Sequence, residues 1–404
     1  MSFTLALRNI FRQRVRTAMT LGAIVFGVTG LILSGGFVQD IFVQLGEATI
    51  HSQTGHLQVF RKGFLERGTR QPQDFLIEDP HVVADRIQAI PAVKDVAARL
   101  NFSGLLNNGR RDLAIIGEGV QPDKETRLGT FLSLTAGRHL TDADAFGMAV
   151  GQGVAHSLGL KPGDTVTLVL NTIEGALNTL DFEVVGVFQS FSKDFDARAV
   201  RIPLAAAQEL MLTAGANVLV TTLHRTEDTR SALAQVRAAI DPERLEAQGW
   251  QTLADFYEKT VDLYERQFGV LQLIILFMVL LSVTNTVNMT AFERLAEFGT
   301  VRALGNRKRD VFRLLIVENL LLGLIGATLG VVVGALLALA ISAVGIPMPP
   351  PPNANMGYTA VIRLLPFTIV SAWLIGFLAT AAAAVFPARR VSGTSIVDAL
   401  RQGT

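Results

Sequence analysis

The 404-residue chain contains no cysteine. Disulfides, thiolate nucleophiles and Cys-ligated zinc are therefore excluded, and any exported part must be held together by its core alone. Charge is scarce as well: 18% of residues are Asp, Glu, Lys or Arg, against 50% hydrophobic. With a mean hydropathy of +0.38, this is the composition of a chain that crosses a membrane rather than of a soluble domain.

Several site signatures are missing. No G-x-x-x-x-G-K-[ST] run is present, so the chain has no P-loop of its own. Gly151-Gln152-Gly153 begins like a phosphate loop, but His156 stands where the last glycine belongs, and a tight turn is the simpler reading. The same stretch is not a G-x-S-x-G nucleophile elbow. The six histidines (His51, His56, His81, His139, His156, His224) lack H-E-x-x-H or comparable spacing and read as surface or cap residues. No catalytic constellation and no metal site emerges, which disfavours a membrane-bound enzyme.

What is present is a set of long uncharged runs: Thr17–Gln39, Gln267–Phe292, Asn319–Val344 and Leu364–Ala388. At 1.5 Å per residue the first reaches about 35 Å, enough for a hydrocarbon core of about 30 Å. Arg8, Arg12, Arg14 and Arg16 precede it. That run is too long for a signal h-region, so a retained first span is expected. Residues 1–16 alternate Phe3, Leu5, Leu7, Ile10 and Phe11 with arginines, as an interfacial amphipathic helix or a plain basic flank would. Gly345–Asn353 carries consecutive prolines and cannot be helix; it reads as a stiff polyproline-like loop.

Basic residues near the span ends fix the expected orientation. The N-terminal arginines, the connector (Arg294, Arg302, Arg307, Lys308, Arg309, Arg313) and the tail (Arg389, Arg390, Arg401) fall on one side in a four-span arrangement. That side is expected to be the cytoplasm, with both termini inside. Gly46–Arg266 then lies outside; its 29 acidic and 22 basic residues suit a part that does not hug an anionic leaflet.

Both ends of the outer segment keep helical periodicity. Ile41, Leu45 and Ala48 share a stripe, as do Phe256, Thr260 and Leu263, which predicts an antiparallel stalk. Between them the pattern is α/β: strands at 55–60, 93–100, 113–117, 182–188, 199–203 and 218–223, helices at 80–90, 204–212 and 229–240. Within 149–169 it gives strand, short helix, Pro-Gly turn and strand. The predicted fold class is an α-helical membrane protein with four transmembrane helices plus a large extracytoplasmic α/β domain with a β-rich insert. The expected division is 1–45 (interfacial helix, first span, stalk), 46–117 and 213–252 (the α/β base), 118–212 (the β-rich insert), 253–292 (stalk and second span), 293–313 (connector), 314–344 (third span), 345–363 (outer loop), 364–388 (fourth span) and 389–404 (tail).

Three features stand out in the membrane part. Gly326, Gly330 and Gly334 form a small-xxx-small ladder that lets helix backbones approach closely, within the chain or in a dimer. Asn285 and Asn288 sit inside an apolar span and need partners, from another helix or from a cavity ligand. The connector 293–313 is short, basic and helix-prone, where a partner on that side can push on the spans.

The residues now resemble a known family. Ala6–Thr17 resembles the basic entry helix, Gly137–Gly151, Leu158–Asp164 and Val184–Phe188 the periplasmic core, and Glu293–Gly305 with Arg309-Asp310-Val311 and Glu318 the coupling segment of MacB-type (FtsX-like, LolC/LolE-like) ABC transporter permeases. Some relatives carry a fused ATPase before the first span; with 16 residues there, this chain resembles the separate-subunit arrangement of LolC/LolE and FtsX. The resemblance implies a bacterial inner-membrane protein with its large domain in the periplasm. It also implies a second permease protomer, the same chain or a paralogue, and an ABC ATPase dimer beneath. ATP and Mg would be bound by that partner, with no cofactor in this chain and no nucleic acid. Glu293, Arg294, Glu297, Phe298, Arg302, Leu304, Gly305 and Arg309 would form the ATPase-coupling site. Lipoprotein or other lipidic cargo ranks first. Drug or peptide efflux and mechanical control of a cell-wall hydrolase are the alternatives, and a periplasmic carrier, lipoprotein or hydrolase is the partner expected outside.

Overall fold

In a computed structural model the described residues are 14–68, 72–128, 132–190, 192–350 and 357–401. The chain divides into two units: Met1–Val43, Val261–Pro347 and Thr359–Thr404 form one, Gln44–Thr260 and Met348–Tyr358 the other.

The chain enters as α1 (Arg14–Thr49), an unbroken helix of 36 residues. It continues past Gln39 because the apolar stripe does; Leu45 and Ala48 are both buried. It closes in a π-helical turn, Ile50–Thr54, followed by Gly55 at φ +66°. The amphipathic helix expected at the N-terminus falls mainly on residues 1–13, outside the described residues.

The outer unit then runs β1 (Leu57–Arg61), α2 (Pro80–Gln88), β2 (Val93–Asn107), β3 (Asp112–Val120), α3 (Pro122–Leu128), β4 (Ser133–Gly137), β5 (Gly147–Gly151) and α4 (Gln152–Leu158). It continues as β6 (Thr165–Asn171), β7 (Leu177–Gln189), α5 (Lys193–Asp196), β8 (Ala199–Pro203), α6 (Leu204–Met211), β9 (Val218–Leu223), α7 (Thr229–Ala239) and β10 (Leu245–Gly249). The strands join one 10-stranded sheet in the order β10-β1-β9-β2-β3-β8-β5-β7-β4, with β6 beside β2 and β7. Strand β2 is the shared rail. Val93–Arg99 pairs antiparallel with β9, and Leu100–Asn107 pairs with β3. β2 thus runs seven residues beyond the expected end at Leu100, and its Leu105–Asn107 pairs with β6, inside the segment read as a separate insert. Its far end is polar and glycine-broken (Asn101, Ser103, Gly104), so the alternation that marks a strand is weak there. Strands β4 and β10 and helix α3 were not anticipated. Their sequences, Ser133–Gly137 and Leu245–Gly249 among them, are short and carry little apolar alternation. Phe102, Leu106, Met148, Leu168, Phe182 and Ile202 are almost wholly buried in the main core. Burying each such side chain is worth about 1.5–3 kcal/mol.

After α8 (Trp250–Leu253) comes the membrane part: α9 (Asp255–Glu293), α10 (Leu295–Ala303), α11 (Lys308–Val344), α12 (Pro366–Gly393) and the short α13 (Ile396–Arg401). Among the described residues, four helices are long and apolar enough to cross a membrane: Thr17–Thr54, Tyr257–Glu293, Lys308–Val344 and Pro366–Gly393. The proline-rich segment differs in part from the expected loop. Ile346–Met348 (β11) pairs with Tyr358–Ala360 (β12) in a two-stranded sheet. Pro347 is tolerated there because an isolated strand pair always has an outward edge, where a missing N–H costs nothing.

The glycine ladder packs inside the chain, on α1. A Cβ at Gly326 would lie 2.9 Å from Ile24, one at Gly330 2.7 Å from Val28, and one at Gly334 3.1 Å from Ile32. Thr29 Oγ1 donates to the Gly330 carbonyl at 3.1 Å, a bond possible only where backbones come this close.

Candidate functional site

The connector between α9 and α11 is built as a platform with a protruding turn. Arg294 sits at the start of α10 and is buried. Its Nη1 donates to both carboxylate oxygens of Glu318 at 3.0 Å, and its Nε donates to Glu297 at 3.2 Å. The guanidinium also lies over the Phe298 ring, 4.9 Å from its centroid. Phe298 is itself buried among Ala291, Leu295, Val311, Leu315, Ala388 and Val391. Arg302 donates to the Thr394 carbonyl, just past the end of α12, and Arg390 covers the Phe292 ring at 5.1 Å.

The turn behaves differently. Leu304 caps α10 and is 80% exposed. Gly305 follows at φ +103°, a left-handed conformation that suits glycine. Arg307, Lys308 and Arg309 open α11, all exposed, and no described acid pairs with Lys308 or Arg309. The Asp310 carboxylate accepts the Arg307 N–H at 2.8 Å and so holds the start of α11. Of the residues singled out by sequence, Arg294 and Phe298 therefore lie inside the platform. Glu293, Glu297, Leu304, Gly305 and Arg309 lie on its surface, and Arg302 is half-buried.

The spans hold two further features. Asn285 is exposed on α9, and the Oδ1 of Asn288 is buried with no hydrogen-bond partner among the described residues. A groove of about 370 Å³ opens between α1, α9 and α12. Leu31, Phe42, Phe268 and Phe367 make its apolar walls, and Gln39, Gln272, Ser371 and the Glu265 carboxylate line it with polar groups. Asp40, read from sequence only as stalk, is fully buried. It accepts Nε of Arg363 at 2.8 Å and the Val361 N–H at 3.0 Å.

In the outer unit, sequence reasoning missed a buried ionic quartet. Arg99 on β2 forks onto Glu125 of α3 (Nε 2.6 Å, Nη2 2.8 Å), and Arg201 on β8 donates to Glu118 of β3 at 2.8 Å. All four side chains are buried and their charges cancel. Burial opposes the charge on Arg99, but Glu125 and Glu118 outweigh it and hold its pKa above the ordinary value. Burial likewise pushes Glu125 up, and Arg99 and Arg201 bring it below the usual carboxylate range. The only signal in the sequence is an arginine at an inward strand position, which names no partner.

A second polar cluster lies at the same end of α1. His51 bonds Glu47 at 3.2 Å, and Thr226 donates to Glu47 at 2.7 Å while meeting His56 Nε2 at 3.1 Å. His56, read as a surface or cap residue, is 2% exposed. Its pKa falls to about 4, mainly because burial disfavours the imidazolium and then because His51 is close. It reaches Leu223 through Nδ1, which accepts that residue's N–H at 3.3 Å. Among the described residues no group of three or more His, Asp or Glu is placed to hold a metal ion.

Helices of membrane length, an attached α/β unit and a short charged connector define the class, a multi-span membrane protein with a large extramembrane domain. Residues 17–247 match the MacB-like periplasmic core domain, and residues 269–396 match the FtsX-like permease C-terminal domain. The chain belongs to this family, the ABC transporter permeases of the MacB, LolC and FtsX type. It is 23% identical over 419 residues to an uncharacterised ABC transporter permease of Methanocaldococcus jannaschii, covering 98% of this chain and 97% of that one. It is also 23% identical to the lipoprotein-releasing system transmembrane protein LolC of Neisseria meningitidis, over 98% of this chain and 95% of the other. Among solved structures it is similar to the periplasmic region of MacB from Actinobacillus actinomycetemcomitans. There the TM-score is 0.37 and the identity 16%, over 52% of this chain and 94% of that one.

Proposed function

We propose that this permease is driven by a separate ATPase, which binds ATP and Mg and docks on the turn Leu304–Arg309, and that its cargo is a lipoprotein or another lipidic molecule. The observation that carries the coupling part is the division of the connector. Arg294, Phe298 and Glu318 make a rigid base, while one large apolar side chain, Leu304, stands exposed beside Arg307, Lys308 and Arg309. An exposed apolar anchor ringed by cations fits a groove with an acidic rim. The arginine asymmetry along the chain supports a cytoplasmic connector, cytoplasmic termini and an outer unit in the periplasm. A second protomer against α9 would cover the exposed Asn285. The lipidic cargo is supported by the groove between α1, α9 and α12, which combines apolar walls with amide, hydroxyl and carboxylate groups, and by the similarity to LolC.

The test is co-purification of the chain with its partner ATPase. Leu304→Asp and Arg309→Glu are expected to weaken association at least tenfold and to abolish stimulation of ATP turnover. Unchanged binding and stimulation would remove the coupling site. Trapping the complex with a hydrolysis-dead ATPase addresses the load. Lipidated protein retained in the membrane part supports the cargo reading, and a cell-wall hydrolase retained with no lipidated protein replaces it with mechanical control.

A further inference from the structure

The end of α1 carries three marks of a conformational joint. First, its last turn is π-helical: Gly55 N–H reaches back five residues to the Ile50 carbonyl at 2.9 Å. Such a turn holds one residue more than an α turn, is uncommon, and can relax by slipping one residue, which rotates the helix by about 100°. Second, the turn ends at Gly55, where a Cβ would lie 2.4 Å from Val220. Only glycine fits there, so β1 begins from a fixed point and any slip must occur upstream. Third, Ser52 Oγ is buried with no partner among the described residues. A buried hydroxyl without a bond is disfavoured in this register and available to another.

The ionic quartet meets this turn directly. Arg99 Nη1 donates to the Gln53 carbonyl at 2.5 Å, and Arg201 Nη2 reaches the Ser52 carbonyl at 3.4 Å. Two guanidiniums therefore grip successive carbonyls at the negative end of a helix, where cations are favoured. Each arginine keeps its carboxylate bond through other nitrogens. Breaking the carbonyl bonds thus leaves no charge stranded, because the quartet stays neutral within itself. A pair that holds one carbonyl tightly and the next loosely can let go of one register and take the next.

We propose that Arg99 and Arg201 are positioning residues forming a latch on the π-helical end of α1, which releases and re-engages by one register in each transport cycle and so passes displacement of α1 to the outer sheet. This rests on the reading that a separate ATPase drives the chain. Glu118 and Glu125 hold the latch arms; Ser52 and Gln53 offer the rungs.

The experiment is hydrogen–deuterium exchange on the complex of the full chain with its ATPase in lipid nanodiscs, compared without nucleotide and with ATP plus vanadate. In the wild type the amides of residues 52–56 should change exchange rate at least tenfold between the two conditions. Arg201→Lys keeps the charge but cannot bridge Glu118 and the Ser52 carbonyl together. Its exchange at 52–56 should be fast in both conditions, with unchanged ATPase binding and a melting temperature within a few degrees of wild type. The charge-balanced pair Arg201→Met with Glu118→Gln should behave the same way, and guards against a folding defect from one lost charge. ATP turnover should persist in both variants while cargo release falls at least tenfold. Equal protection of 52–56 in both nucleotide conditions of a wild-type complex that traps vanadate overturns the latch alone. Failure of the chain to associate with the ATPase overturns the latch and the proposed function together.

Discussion

Glu318→Ala should be among the most damaging single changes in the membrane part. The carboxylate it removes holds Arg294 Nη1 through both oxygens at 3.0 Å, and the two side chains are only 7% and 10% exposed. Breaking a buried pair costs about 3–5 kcal/mol because a charge is left without its counter-charge. The lower end applies here. Glu297, 47% exposed, stays within 3.2 Å of Arg294, and the Phe298 ring still covers the guanidinium. Replacing both partners by apolar residues of similar size, Arg294→Met with Glu318→Leu, removes both desolvation costs and should return stability to within about 1 kcal/mol of wild type. In the cycle closed with the single changes Arg294→Met and Glu318→Leu, each costing about 3 kcal/mol, the double variant should therefore be less damaged than either single one. Thermal unfolding of the purified chain in detergent, followed by the fluorescence of Trp373 in the same unit, measures these losses. Single effects that add in the double variant, or a Glu318→Ala loss under about 0.5 kcal/mol, would refute the platform.

Three other outcomes follow from the same contacts. Leu304→Ala should leave the melting temperature of the isolated chain unchanged, since an exposed residue rarely moves stability by more than about 0.5 kcal/mol, while lowering ATPase affinity in a pull-down. Gly330→Val should force α1 and α11 apart, because the new Cβ meets Val28 at 2.7 Å. A loss of about 1–3 kcal/mol in the unfolding assay is expected, and none would mean the helices do not pack here. His56 has its folded pKa lowered from 6.5 to about 4, so the unfolded chain binds its proton first as the medium is acidified. Its contribution is full above pH 6.5 and is lost progressively from there toward pH 4, by up to about 3 kcal/mol. Melting temperatures measured between pH 7 and 4.5 should fall less in His56→Gln than in wild type, and identical slopes would refute the assignment.

The sequence by itself determined the four spans, the family, and most elements of the outer unit. β8 at Ala199–Pro203 and β9 at Val218–Leu223 lie where apolar runs bounded by turn residues put them. These properties are local: hydropathy over some twenty residues, or a period of two or 3.6, is fixed by neighbours along the chain. Tertiary structure alone decided the pairings. Arg99 meets Glu125, Arg201 meets Glu118 83 positions away, and Thr29 reaches Gly330 across 301. It also decided the sorting of the connector. Arg294 and Leu304 sit on one short basic helix-prone stretch with similar local patterns, yet Arg294 is buried by Glu318 and Leu304 stands in the open. Whether a side chain is covered depends on what arrives from elsewhere in the chain, and for a charged residue the deciding factor is a counter-charge able to offset its desolvation. The π turn at Ile50–Thr54 belongs to the same category, since its extra residue is accommodated by two guanidiniums that no local pattern announces.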